Sequence, residues 1–284
     1  VNSWGKNKYF EDHFELDEHI ENGYIPIEFS EKKCYDLSKL DTSEITDMSQ
    51  LFEYSMFNDI HSTNGIGLHN GDISNWNVSK VTDVSQMFYF ARNFNQALNS
   101  WDVRNVTNMS WMFSGAWNFN QALNNWDVSK VTNMEEMFAY AKSFNQALNS
   151  WDVSNVIDMK SMFFSTSFNQ VLNNWNVSKV TNMRAMFCLA KDFNQVLNDW
   201  DVSSVTSMSY MFSAASNFNQ AILWDLSKVT NMEGMFEDAI AFETKFNNGN
   251  ALPKETNTLK QWLNENIDSD KMLAIEIKEK EKDN

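Results

Sequence analysis

The chain of 284 residues carries 38 acidic and 22 basic side chains, which gives a formal net charge of −16. This charge argues against a nucleic-acid partner, because a phosphate backbone would be repelled. No stretch approaches the roughly 20 consecutive apolar residues that a membrane-spanning helix requires. Cys34 and Cys188 form neither a disulfide framework nor a zinc signature, so we interpret both as buried free thiols.

Residues 1–39 are acidic, aromatic and not repetitive. A helix-like run extends from Tyr9 to Ile20, and Gly23 and Pro26 break the pattern that follows. We predict an N-terminal helical cap here. The acidity is also uneven, since residues 1–75 hold 15 Asp and Glu against 5 Lys and Arg, a net charge of −10.

Residues 40–250 form a repeat array with an almost constant period. Its common pattern is Trp-Asp-Val-Ser-x-Val-Thr-x-Met-x-x-Met-Phe-x-x-Ala-x-x-Phe-Asn-Gln-x-Leu, and we count positions from the Trp as position 1. Repeat 1 begins at Leu40, in place of Trp, and repeats 2 to 8 begin at Trp76, Trp101, Trp126, Trp151, Trp175, Trp200 and Trp224. Such a strict period predicts a stacked solenoid, in which each repeat contacts mainly its two neighbours.

Within one repeat, the residue spacing predicts a strand followed by a helix. Trp and Val at positions 1 and 3 would point to one side of a short strand, because side chains alternate along a strand. Met109, Met112, Phe113 and Ala116 lie at i, i+3, i+4 and i+7, which predicts a helix of about two turns. We interpret the Trp, Met and Phe columns as core.

An Asn follows the second Phe of the repeat and recurs as a column. It could be a ligand-binding ladder, but stacked amides that satisfy buried backbone groups and each other explain it better. The column consists of Asn95, Asn120, Asn145, Asn169, Asn194 and Asn219.

The residues at position 2 lie between two inward-pointing side chains and should therefore point outward. This row, here called the Asp/Asn row, consists of Asn77, Asp102, Asp127, Asp152, Asn176, Asp201 and Asp225. Lysines occur nearby in every second repeat, at Lys80, Lys130, Lys179 and Lys228. One interpretation is a charged groove for a protein or glycan. The other interpretation is that each Asp accepts a hydrogen bond from the Ser two residues later or from a backbone amide there, in an Asx turn.

Repeat 1 is longer than the others and contains an insertion at residues 57–72. Insertions in repeat arrays often protrude and carry binding, so we treat His61, His69, Asp59 and Asp72 as a second candidate site. A divalent metal is conceivable there, but the spacing matches no strong metal motif, and we predict neither a metal nor a cofactor.

The repeat resembles the roughly 25-residue repeat of the BspA-like leucine-rich-repeat surface protein family over about residues 40–245. The resemblance implies an α/β fold: a right-handed solenoid with short parallel strands on the concave face, short helices on the convex face, and about eight coils with terminal caps. It also implies a secreted or cell-surface location and adhesion to host or neighbouring-cell proteins. It carries no catalytic residues.

Residues 251–284 open at Pro253 and continue with a helical pattern, which predicts a C-terminal cap followed by a charged tail. No catalytic motif is present, so we predict a non-enzymatic protein-binding solenoid, with a basic protein or extracellular matrix as partner. An acidic intracellular inhibitor or immunity-type module that masks a basic partner is the alternative. The oligomeric state is left open.

Overall fold

The computed structural model describes residues 40–54 and 72–267. The chain divides into two compact units, residues 1–33 and 34–284, and only the second contains described residues. The predicted N-terminal helix and the charged tail therefore lie outside the described residues. So does the insertion, apart from Asp72.

Successive repeats are joined by isolated parallel bridges, one residue per repeat, always at position 8. The bridged residues are Asp47, Asp83, Asn108, Asn133, Asp158, Asn182, Ser207 and Asn231. The prediction of a strand at positions 1 to 3 is therefore wrong, because the bridges between repeats lie at position 8. Positions 3 to 6 form a tight turn instead, in which the Val106 N–H donates to the Val103 carbonyl over 2.9 Å.

Positions 9 to 16 carry a second set of bonds between repeats. In repeat 3 the N–H groups of Met109, Trp111, Phe113 and Gly115 donate to carbonyls of repeat 4 at 2.8–3.0 Å. The alternate N–H groups close turns within the repeat, as Met112 does by donating to the Met109 carbonyl. Every second N–H in this segment thus donates to a carbonyl of the neighbouring repeat. An α-helix excludes this pattern, because each helical N–H donates to the carbonyl four residues earlier in the same helix.

The predicted helices of the repeats are consequently wrong, since this segment forms two consecutive β-turns in each repeat. Positions 11 and 15 have positive φ in all eight repeats, for example Gln86 at 56° and Phe90 at 52°. A turn with positive φ at its third residue is typical of type II. The spacing i, i+3, i+4, i+7 misled the prediction, because positions 9, 12, 13 and 16 point inward in this turn pair as well.

Aromatic columns fill the interior. Repeats 2 to 8 each stack two Phe rings face to face, as Phe113 and Phe119 do with centroids 4.0 Å apart, and Phe113 stacks on Phe138 of the next repeat at 5.7 Å. The Trp rings are almost completely buried, and each from Trp101 onward donates its Nε1–H to the carbonyl three residues before the preceding Trp. The prediction of Trp, Met and Phe columns as core is confirmed.

Two helices follow repeat 8: α1, Ile240–Asn247, and α2, Thr256–Asn266. Helix α1 begins within the range predicted to be array, because Phe242 continues the Phe column by stacking on Phe236 at 4.1 Å. The segment before α2 completes the last bonds of the ladder: Gly234 N–H donates to the Lys254 carbonyl and Met232 N–H to Thr256 Oγ1. Neither described helix has the length and apolar character needed to cross a membrane.

Candidate functional site

Every member of the Asp/Asn row closes an Asx turn. Its Oδ1 accepts the backbone N–H two residues later, as in Ser129 to Asp127 at 3.1 Å and Ser154 to Asp152 at 3.0 Å. The two asparagines make the same bond, as Ser79 to Asn77 at 3.1 Å shows. The remaining bonds lie between 2.9 and 3.4 Å, at Asp102, Asn176, Asp201 and Asp225. The Asx-turn interpretation is therefore confirmed.

The row is nevertheless exposed and charged. All its members except the half-buried Asp102 are exposed to solvent. Hydrogen bonds from Ser129 and Ser203 lower the pKa of Asp127 and Asp201, and the neighbouring lysines Lys130 and Lys228 lower them further. These carboxylates therefore stay ionised at neutral pH. Every hydrogen bond described for the side chains of the row is accepted by Oδ1, so the turns leave Oδ2 of the aspartates to solvent or to a partner.

The lysines at position 5 bond mostly across repeats rather than to the row. Lys130 Nζ donates to Asn105 Oδ1 at 2.7 Å, and Lys179 Nζ donates to Asn155 Oδ1 at 2.6 Å. Lys80 pairs with Glu44 of repeat 1 at 2.6 Å. Because each Lys at position 5 is flanked by Glu, Asn or Ser at the same position of the neighbouring repeats, no two of these lysines lie in adjacent repeats, which are only about 5 Å apart.

The Asn column is structural in the described repeats. Asn120 N–H donates to Asn95 Oδ1 at 3.0 Å, and Gln121 Nε2 donates to the same oxygen at 3.1 Å. The same pair of bonds links each following repeat to the one before it. This confirms the interpretation of the column as amides that satisfy turn backbone and each other.

Of the second candidate site, His61, His69 and Asp59 lie outside the described residues. Asp72 accepts the Ser74 N–H at 2.9 Å, and hydrogen bonds from Ser74 lower its pKa, as in the Asx turns of the row. Among residues 40–54 and 72–267, no group of three or more His, Cys, Asp or Glu could hold a metal ion.

The structure adds a site that the sequence reasoning missed. An open groove of about 620 Å³ lies along repeats 5 to 8, and its lining includes Lys160, Asn182, Arg184, Ser209, Tyr210 and Glu233. The charged members occupy position 10, whose side chains differ from repeat to repeat, while the frame positions stay constant. Position 10 reads Ser49, Ser85, Ser110, Glu135, Lys160, Arg184, Ser209 and Glu233. This variation at position 10 was the signal in the sequence that could have indicated the groove.

A buried carboxyl group lies beside the groove, in repeat 4. Glu136 is only 1% exposed, and burial raises its pKa to about 8, against the opposing effect of Lys160. Lys160 Nζ is 3.7 Å from Glu136 and donates to Glu135 at 2.6 Å. Glu136 is therefore mostly protonated at neutral pH, and Glu135 is the charged partner of Lys160.

No match to the chain was found among curated proteins. The sequence model of a protein family, described as "Mycoplasma protein of unknown function, DUF285", matches residues 28–66, 54–174 and 164–272. These segments together span most of the chain and include all eight repeats, so the chain belongs to the DUF285 family.

Proposed function

We propose that the chain is a non-enzymatic protein-binding array that contacts a basic partner surface through the Asp/Asn row. The observation that carries this proposal is the row itself, in which four exposed carboxylates and the half-buried Asp102 are fixed by the same Asx turn. Repeats about 5 Å apart set their spacing. A partner would meet carboxylates whose positions are already fixed, so little conformational entropy is lost when it binds.

The charge of the row supports a basic partner. The hydrogen bonds that lower the pKa of Asp127, Asp201 and Asp225 keep these groups ionised. Lys130 and Lys179 donate to asparagines of neighbouring repeats. They therefore reduce the negative electrostatic potential of the row without forming ion pairs with its carboxylates. A basic surface is the complement of such a row, and charge complementarity mainly raises the association rate and the specificity.

The proposal includes a location at the cell surface and a role in adhesion, which follow from the resemblance to BspA-like repeats. Labelling intact cells with an antibody against residues 72–267 tests the location. Surface labelling without permeabilisation is the expected result. Labelling only after permeabilisation would overturn the surface assignment and favour the intracellular acidic module.

The binding row is tested by a triple variant, Asp127→Asn, Asp152→Asn and Asp201→Asn. Asparagine keeps the Oδ1 acceptor, as Asn77 and Asn176 show in the same row. The variant therefore removes three charges and preserves the turns. We expect about ten- to a hundredfold weaker partner binding, at up to about 1 kcal/mol for each exposed charge pair.

The partner is first isolated by pull-down from extracellular matrix and from lysate of the source cells, and affinities are then measured by surface plasmon resonance. The matched control is Asp192→Asn, Asp199→Asn and Asp238→Asn, which removes three exposed carboxylates outside the row. Equal weakening by both triple variants would mean that only net charge matters. Unchanged affinity in the first variant would reject the row as the binding site.

A further inference from the structure

The groove along repeats 5 to 8 brings two cations close together on a chain with a net negative charge. Its lining includes two cations, Lys160 and Arg184, and one carboxylate, Glu233, whereas the whole chain has a net charge of −16. The remaining lining residues carry hydroxyl and amide groups. A groove of about 620 Å³ with this lining lies within the size range of ligand sites, but it lacks the apolar walls that drug-like ligands prefer.

The two cations are neighbours because they occupy the same position in adjacent repeats. Both occupy position 10, and the Ser161 N–H donates to the Arg184 carbonyl at 2.8 Å, which places the two backbone segments about 5 Å apart. Glu135 already pairs with Lys160 from the side of repeat 4 at 2.6 Å, so the binding of a further carboxylate depends mainly on Arg184. A guanidinium has five N–H donors in a fork that fits a carboxylate, so it can receive one besides its bonds within the chain.

The other end of the groove has the opposite sign. Glu233 lies two repeats beyond Arg184, or about 10 Å along the array, and Glu233 Oε1 accepts the Tyr210 hydroxyl at 3.0 Å. A second acidic group placed there would be repelled. The buried Glu136, being mostly protonated at neutral pH, does not cancel the cations at the first end.

We propose that this groove binds an acidic side chain of a protein partner, with the carboxylate at Lys160 and Arg184 and a neutral or basic neighbour at Glu233. The inference rests on the proposed protein-binding function and adds a site with the opposite preference to the Asp/Asn row. A partner that uses both sites must present a basic surface and a separate acidic segment.

The test uses the full chain and fluorescent peptides of equal length with alternating Glu-Ser, Gln-Ser or Lys-Ser sequence, measured by anisotropy at low ionic strength. We expect the Glu-Ser peptide to bind through the groove. Arg184→Ala should weaken it about ten- to a hundredfold, since a hydrogen bond to a charged group is worth about 1.5–3 kcal/mol. Arg184→Lys should retain part of the affinity, and Glu233→Lys should increase it by removing the repulsion.

The matched control is Arg104→Ala, which removes an exposed arginine that lies outside the groove and pairs with Asp102, and which should leave Glu-Ser binding unchanged. Thermal unfolding of each variant establishes that it is folded. No binding of the Glu-Ser peptide, equal binding of the Gln-Ser peptide, or no effect of Arg184→Ala would each overturn the proposal.

The failure of this inference is distinct from that of the proposed function. A cellular partner retained equally by the wild-type chain and by Arg184→Ala would overturn the groove assignment and leave the protein-binding function in place. If no protein partner is retained at all, the proposed function fails, and the peptide titration still decides whether the groove takes a carboxylate.

Discussion

At the scale of single residues, the most unusual feature is the left-handed backbone at positions 11 and 15 of each repeat. Only Gly115 and Gly234 are glycines there, although a positive φ costs other residues about 1 kcal/mol or more. In repeats 1 and 2 the side chains at position 15 offset part of this cost, since Tyr54 and Phe90 stack with their ring centroids 5.7 Å apart. Glycine at these two positions would remove this contact.

Gly115→Ala separates steric crowding from backbone strain. A Cβ on Gly115 would lie 2.8 Å from the Phe90 ring, whereas a Cβ on Gly249, at a similar φ of +77°, would meet open space. We expect Gly115→Ala to lower the free energy of unfolding by about 1–3 kcal/mol more than Gly249→Ala does. Urea denaturation of both variants measures the difference. Equal losses would show that the Phe90 ring moves aside without cost.

Glu136 makes the stability of the chain depend on pH. Its pKa in the folded chain, about 8, is above the ordinary value of 4.5, so the folded state binds a proton that the unfolded state has lost. Stability from this group is complete below about pH 4.5 and decreases as pH rises towards 8. The slope approaches about 1.4 kcal/mol per pH unit.

Glu136→Gln should therefore match the wild-type chain near pH 4.5 and become progressively more stable than it up to about pH 8. Urea denaturation midpoints of both chains across this range give the difference. Glu135→Gln is the control, because Glu135 is partly exposed and is the hydrogen-bonded partner of Lys160. A difference independent of pH would show that folding does not shift the pKa of Glu136.

At the scale of the structural element, each repeat consists of turns whose bonds run to its neighbours. The heavily apolar segment Met109-Ser-Trp-Met-Phe-Ser-Gly-Ala fits a helix and a turn pair equally well by spacing. Local sequence does not decide between them. The outcome depends on carbonyls offered by the next repeat, which a single repeat read in isolation does not contain.

Trp151 tests the core of one repeat. It is 3% exposed, stacks on Trp126 at 6.4 Å, and donates its Nε1–H to the Leu123 carbonyl at 3.0 Å. We expect Trp151→Ala to cost about 3–5 kcal/mol and Trp151→Phe less, because Phe keeps a ring but leaves the Leu123 carbonyl without this donor. Denaturation measures both costs.

We also predict which repeats Trp151→Ala destabilises. Hydrogen exchange in Trp151→Ala should quicken first in repeats 4 to 6, since each repeat contacts mainly its neighbours. Uniform acceleration throughout residues 72–267 would contradict local coupling and indicate that the array unfolds as one cooperative unit.

Sequence reasoning predicted the candidate site only in part, for physical reasons. Period and alternation were enough to place Asp127 and its equivalents outside the core, because a strict period leaves few ways to bury the tryptophans. The groove was missed because Lys160 and Arg184 become neighbours only when position 8 pairs between repeats. That pairing depends on turns which the helical interpretation of positions 9 to 16 had excluded.

At the scale of the whole molecule, the eight repeats share one core, and helices α1 and α2 close its C-terminal end. Lys254 and Thr256 provide the acceptors that a ninth repeat would have offered to Gly234 and Met232. Covering a ladder edge in this way prevents other chains from pairing with it. The right-handed leucine-rich-repeat class and the concave face remain predictions from the resemblance.

In repeats 2 to 8, Lys alternates with Asn or Ser at position 5, and this alternation limits how the gene can change in length. Loss of a single repeat between Lys130 and Lys179 would bring two ammonium groups together and remove the amide oxygen that Lys179 uses at Asn155. Loss or gain of two repeats leaves no two lysines of position 5 in adjacent repeats. Unequal recombination that survives selection should therefore change the copy number in even steps, and the inherited unit of about 50 residues is twice the visible one.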